Sequence, residues 1–129
     1  MYESLDFVYT PVSDVDAAAR GYVEALGATL VWKVRAMGTV VACLRLAEAG
    51  PAILLTDHLE GDEPILVYRV SDYRAAVAGL RAAGVADLRE LGIPHGPLAA
   101  FRAPGGRRVA VYELTRPDAA DAFNGRFDD

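Results

Sequence analysis

The sequence predicts an α+β fold: two tandem βαβββ modules forming curved mixed sheets around a concave cavity, with the helices on the outer face. Three observations carry this. First, Phe7-Val8-Tyr9-Thr10-Pro11-Val12-Ser13-Asp14 returns 58 residues later as Ile65-Leu66-Val67-Tyr68-Arg69-Val70-Ser71-Asp72, and a repeat of this length marks a duplicated supersecondary unit. Second, in both copies the apolar period changes from that of a strand to that of a helix at Ser-Asp, where a short polar side chain can accept from the unpaired amides of a first helical turn. Third, Gly- and Pro-bearing turns follow each helix at the spacing of short strands.

In the first copy, Val15, Ala18, Ala19, Tyr22 and Leu26 fall on one helical face, and Gly27 stands where a left-handed C-terminal cap is needed. A strand over Ala28–Val34, a turn at Met37-Gly38, a strand over Thr39–Leu46, a turn at Glu48–Pro51 and a strand over Ala52–Thr56 complete the module. The polar run His58–Pro64 reads as a linker. In the second copy, Tyr73, Ala76, Val77 and Leu80 mark the helix face and Gly84 its end; strands are expected at Asp87–Leu91, Leu98–Arg102 and Arg108–Leu114, with a turn at Ala103–Gly106. The whole is expected to be one domain: module one at about 5–57, linker 58–64, module two at about 65–116. Pro117–Asp129, rich in Asp and Ala, reads as a loosely ordered tail with one short helical turn at most.

At 129 residues the chain can bury roughly two thirds of its unfolded surface in one core. A net charge of −5 argues against nucleic acid, which is bound through a basic surface. The cluster Arg102, Arg107, Arg108 reads as a solvated rim. No apolar run reaches the length of a membrane span, and Met1-Tyr2-Glu3-Ser4 lacks the basic start of a signal peptide, so a cytoplasmic protein is expected. The single Cys43, within Val40–Leu44, reads as a small core hydrophobe.

Two stretches resemble the vicinal oxygen chelate superfamily of glyoxalase I, extradiol dioxygenases, methylmalonyl-CoA epimerase and the bleomycin- and fosfomycin-resistance proteins. Phe7-Val8-Tyr9-Thr10-Pro11-Val12-Ser13-Asp14 with Ala17-Ala18-Ala19, Tyr22 and Leu26-Gly27 looks like the opening of such a module. Ala103-Pro104-Gly105-Gly106-Arg107-Arg108-Val109-Ala110-Val111-Tyr112-Glu113 looks like its close, where the family usually has Asp-Pro-x-Gly. The resemblance spans about Leu5 to Arg116. It implies that a metal-dependent member would carry ligands on the first and last strand of each module, here Phe7, Leu54 (within one residue of register), Ile65 and Ala110. Hydrocarbon side chains offer no donor to a divalent ion. His58, Asp57 and Glu113 are the nearest substitutes, and strand parity sets Asp57 and Glu113 on the opposite face. No metal and no cofactor is therefore expected.

What remains is an apolar floor of Phe7, Leu54, Ile65 and Ala110. Tyr9, Trp32, Phe101 and Tyr112 could add aromatic area and hydroxyls to it, or simply fill core. His95, in Gly92–Pro97, sits at the expected mouth of module two, either as a ligand-binding or acid/base group or as a surface loop histidine. Arg69 has the parity of the floor and is favoured over Arg45 for meeting a charged group. The leading expectation resembles the metal-free antibiotic-binding branch: a homodimer that sequesters an apolar or aromatic small molecule. The alternatives are a metal-dependent or metal-free lyase, isomerase or dioxygenase of the glyoxalase type, and a structural module whose pocket is filled by its own side chains.

Overall fold

The computed structural model describes residues 1–36, 38–59 and 61–129, and for Ala120 the backbone only. It is α+β, two βαβββ modules with a C-terminal addition. The elements are β1 (Tyr2–Pro11), α1 (Val15–Leu26), β2 (Thr29–Ala36), β3 (Thr39–Arg45), β4 (Ala52–Thr56), β5 (Ile65–Val70), α2 (Tyr73–Ala82), β6 (Arg89–Ile93), β7 (Gly96–Arg102), β8 (Arg108–Tyr112) and α3 (Pro117–Phe123). Met37 of the expected turn and Glu60 of the expected linker lie outside the described residues. No described helix is long and apolar enough to cross a membrane.

The repeated Ser-Asp does the same work twice. Asp14 accepts from the Ala17 amide at 3.0 Å and Asp72 from the Ala75 amide at 3.1 Å, each from an extended backbone. Such a cap stabilises a helix by about 1 kcal/mol. Gly27 closes α1 in the left-handed region at φ 74°.

The chain forms two compact units: Phe7–Pro64 with Ala122–Asp129, and Ile65–Asp121 with Met1–Asp6. In the first, the strand order is β2-β3-β4-β1, with β3 antiparallel to both neighbours and β4 parallel to β1. Val15 and Ala19 of α1 pack on Ala28, Val40, Ala42, Leu44 and Leu55, with Ala18 and Tyr22 beside them. Leu26, expected on that face, is instead 61% exposed. Closure after Gly27 returns the Ala28 amide to the Tyr22 carbonyl at 3.1 Å, so Ala28 takes the core place.

In the second unit the order is β5-β8-β7-β6, with β5 and β8 parallel and the other pairs antiparallel. Tyr73, Ala76 and Val77 of α2 pack on Val70, Ala99, Phe101 and Val111. β6 begins at Arg89 rather than Asp87, because Asp87 adopts a left-handed turn conformation, φ 59°, that an extended strand excludes. β7 begins at Gly96, leaving Pro94-His95 as a tight turn. Gly96 has φ 155°, and a Cβ there would stand 2.0 Å from the Glu113 carbonyl oxygen, so the close approach of turn and chain requires glycine.

Residues 117–129 are not the loose tail their composition predicts. After α3, the Lys33 amide donates to the Arg126 carbonyl (2.8 Å) and the Asp128 amide to the Lys33 carbonyl (2.9 Å), so the segment pairs along the edge of β2. Asp128 also accepts from the Arg35 amide at 2.9 Å.

Candidate functional site

Register sets which side chains meet. In the first unit Tyr9 pairs with Leu54, Leu54 with Cys43 and Cys43 with Trp32, so these four form a row across β1, β4, β3 and β2. They lie with Phe7, Val41 and Ala52 in an apolar cluster separate from the one under α1. The structure thus brings together Phe7, Tyr9, Trp32 and Leu54. Cys43 is buried here, and burial pushes its thiol up to about 11, which leaves it protonated and unreactive. Burial also raises the Tyr9 phenol. Trp32 is only 7% exposed, packed in this cluster with the Phe123 ring against it, ring centroids 5.2 Å apart. His58 is hydrogen-bonded through Nδ1 to Thr56 Oγ1 and stands edge-on to Tyr9.

In the second unit Val67 pairs with Ala110 and Arg69 with Tyr112, while Tyr112 pairs with Leu98 across β7. Paired residues share a face, and by parity Ile65 belongs to it as well. Phe101 does not. It pairs with Val109 and packs against α2, so the aromatic expected on the floor fills the helix-side core. Parity along one strand cannot reveal which parity of a neighbouring strand faces the same way.

The charged end of this face is built around Asp6, which the sequence analysis did not single out. Its Oδ2 accepts from Arg69 Nε at 2.8 Å and from the Tyr112 hydroxyl, and its Oδ1 accepts from Ser4 Oγ at 2.6 Å. Burial works to raise its pKa, but the bonds from Ser4, Tyr112 and Arg69 and the Arg69 charge outweigh it and hold the carboxyl below its ordinary value. Burial, the bond to Asp6 and the Asp6 charge together push the Tyr112 phenol far above its usual range. His95 is no surface residue: it is 6% exposed and edge-on to Tyr112 at 6.4 Å. Burial lowers its pKa, more than the Asp6 charge raises it, with Arg116 adding to the lowering. The Pro94-His95 turn is clamped by the Thr115 and Arg116 amides, which donate to the His95 carbonyl at 3.1 and 3.0 Å, and by Arg116 Nε donating to the Pro94 carbonyl at 2.8 Å.

The residues present do not fit a divalent cation. Phe7, Leu54, Ile65 and Ala110 have hydrocarbon side chains, which offer no donor to a divalent ion. The substitutes are committed to structure: Asp57 Oδ1 accepts from the Val40 amide (3.2 Å) and Glu113 Oε1 from the Tyr73 amide (2.8 Å), while His58 bonds Thr56. Among the described residues no group of three or more His, Cys, Asp or Glu side chains could hold a metal ion.

No family model matches the sequence, and no curated protein matches it. Solved structures do. Methylmalonyl-CoA epimerase from Mycobacterium tuberculosis is 26% identical, with 93% of this chain and 96% of that one covered and a TM-score of 0.68. A second methylmalonyl-CoA epimerase is 18% identical, with 90% and 98% covered and a TM-score of 0.71. The Streptomyces coelicolor methylmalonyl-CoA epimerase, in complex with 2-nitronate-propionyl-CoA, is 15% identical, with 90% and 100% covered and a TM-score of 0.70. The chain has the vicinal oxygen chelate fold.

Proposed function

We propose that the protein binds an apolar or aromatic small molecule without a metal and acts by sequestering it. The observation that carries this reading is the chemistry of the ligand positions: Phe7 and Leu54 in one unit and Ile65 and Ala110 in the other offer hydrocarbon where a cation would need donors. Burying apolar ligand surface on such side chains is worth about 25 cal/mol per Å², whereas a bare cation there would cost several kcal/mol. In the first unit Tyr9, Phe7 and Leu54 supply contact area, with Trp32 beneath Phe123. In the second, Ile65 and Ala110 form the floor, with Arg69, His95 and Tyr112 at its polar end. A homodimer belongs to the same reading; sedimentation velocity giving a monomer at micromolar concentration would remove it.

The test is isothermal titration in excess EDTA with planar aromatic compounds, aliphatic compounds and an acyl-CoA ester, the last because solved neighbours are epimerases of methylmalonyl-CoA. Saturable binding of an apolar or aromatic compound is expected. Binding that appears only after a divalent ion is added overturns the reading. A second reading, a metal-free acid/base isomerase, is favoured by the buried His95 beside Tyr112. Deuterium uptake from heavy water into the bound compound, lost in His95→Gln, is its signature.

A further inference from the structure

Among the described residues, the apolar cluster of the first unit has one member that does not come from the sheet. Phe7, Tyr9, Trp32, Cys43 and Leu54 stand on β1 to β4, whereas Phe123 is the last residue of α3. Its ring lies tilted against Trp32 and stays partly exposed, so it is a cover on the cluster rather than part of its buried interior. α3 has little else to hold it: Pro117, Asp118, Asp121 and Ala122 are exposed, and seven residues are too few for a helix to persist in water unaided. Past Phe123 the chain turns through Asn124-Gly125, with the Arg126 amide donating to the Phe123 carbonyl at 3.0 Å and Gly125 in the left-handed region at φ 77°. It is then tied to β2 by the Gly125 amide on the Val31 carbonyl and by both backbone bonds of Lys33. The cover is therefore tethered, and Phe123 can lift from Trp32 about this turn while the edge of β2 stays paired.

We propose that Phe123 is a displaceable cap holding the place of a ligand's ring: the structure is the capped state, and a planar aromatic compound binds by replacing Phe123 against Trp32. This rests on the metal-free binding reading above. A compound that must displace the cap binds only the uncapped fraction of the protein, and its affinity is reduced by that fraction. The cap also selects. An aromatic compound restores the ring-to-ring contact that it breaks, whereas an aliphatic one does not.

The experiment titrates the full chain, in EDTA, with 2-naphthol, indole and the aliphatic cyclohexanol, as wild type and as Phe123→Ala. At least one aromatic compound is expected to bind about 5- to 30-fold tighter to Phe123→Ala, the range that a cap held by one aromatic contact would give. A second measurement decides the matter if Phe123→Ala fails to fold. The wild-type chain is made with 4-fluorophenylalanine at its four Phe positions, and the fluorine resonance of Phe123 is assigned by its loss in the conservative Phe123→Leu. As the aromatic compound saturates, that resonance is expected to move toward its position in the unfolded chain. An affinity no higher in Phe123→Ala, or a Phe123 resonance unmoved at saturation, overturns the cap and leaves metal-free binding standing, as does saturable binding of cyclohexanol alone. Binding of none of the three compounds to either protein overturns both.

Discussion

His95 shows how burial converts a titratable side chain into a pH-dependent contribution to stability. Its folded pKa lies below the ordinary 6.5, so between 6.5 and that lower value the unfolded chain binds a proton that the folded chain refuses. Stability from this group is complete above 6.5 and falls as the pH drops through that window. Asp6 acts in the same direction lower down: its folded pKa is below the ordinary 3.8, so its contribution is complete above 3.8 and is lost as the pH falls further. Urea unfolding of the wild type should therefore weaken in two separate steps. His95→Gln is expected to flatten the profile just below pH 6.5, and Asp6→Asn only below about 4; identical slopes in all three proteins would refute both assignments. The sequence shows His95 as a candidate but not its burial edge-on to Tyr112, in a turn that the Thr115 and Arg116 amides hold by its backbone. Asp6 was illegible for a related reason. Its partner Tyr112 is 106 residues away, and no local pattern distinguishes a buried acceptor from a polar residue at a strand's start.

The secondary-structure elements that were legible are those whose cause is local. Asp14 and Asp72 announce α1 and α2 because an N-cap is a contact within one turn. The C-terminal segment was not legible because its order is borrowed from β2. A free sheet edge presents unpaired amides and carbonyls, and the backbone of residues 125–128 satisfies them: Gly125 donates to the Val31 carbonyl at 3.2 Å, and Lys33 pairs on both sides. Phe123 then caps Trp32. Since Trp32 is the only tryptophan, its emission reports the environment of this one indole, the Phe123 contact included. Phe123→Ala should shift the emission to longer wavelength as water reaches the indole, and destabilise the protein by roughly 1–2 kcal/mol, the scale of one aromatic pair plus partial burial. An unchanged emission maximum would mean that other residues keep Trp32 dry.

For the molecule as a whole, magnitudes separate a specific metal site from mere attraction of cations to an acidic protein. With a net charge of −5, any divalent salt screens self-repulsion and stabilises the fold slightly, an effect of exposed charges that is small per group and shared by all ions of the same valence. A true site at a hundred times its dissociation constant adds about 2.7 kcal/mol. At roughly 3–5 °C per kcal/mol for a chain of this length, that is a shift on the order of 10 °C, and it would belong to particular ions. Thermal unfolding with zinc, nickel, manganese and ferrous iron is expected to give small, nearly equal shifts, because Phe7, Leu54, Ile65 and Ala110 discriminate among none of them. A large shift with one ion, matched by a stoichiometric metal in elemental analysis, would show that donors such as His58 and Asp57 leave Thr56 and Val40 to form a site. The proposal of metal-free binding would then have to be abandoned, and with it the proposal that His95 acts as an acid or base without a metal.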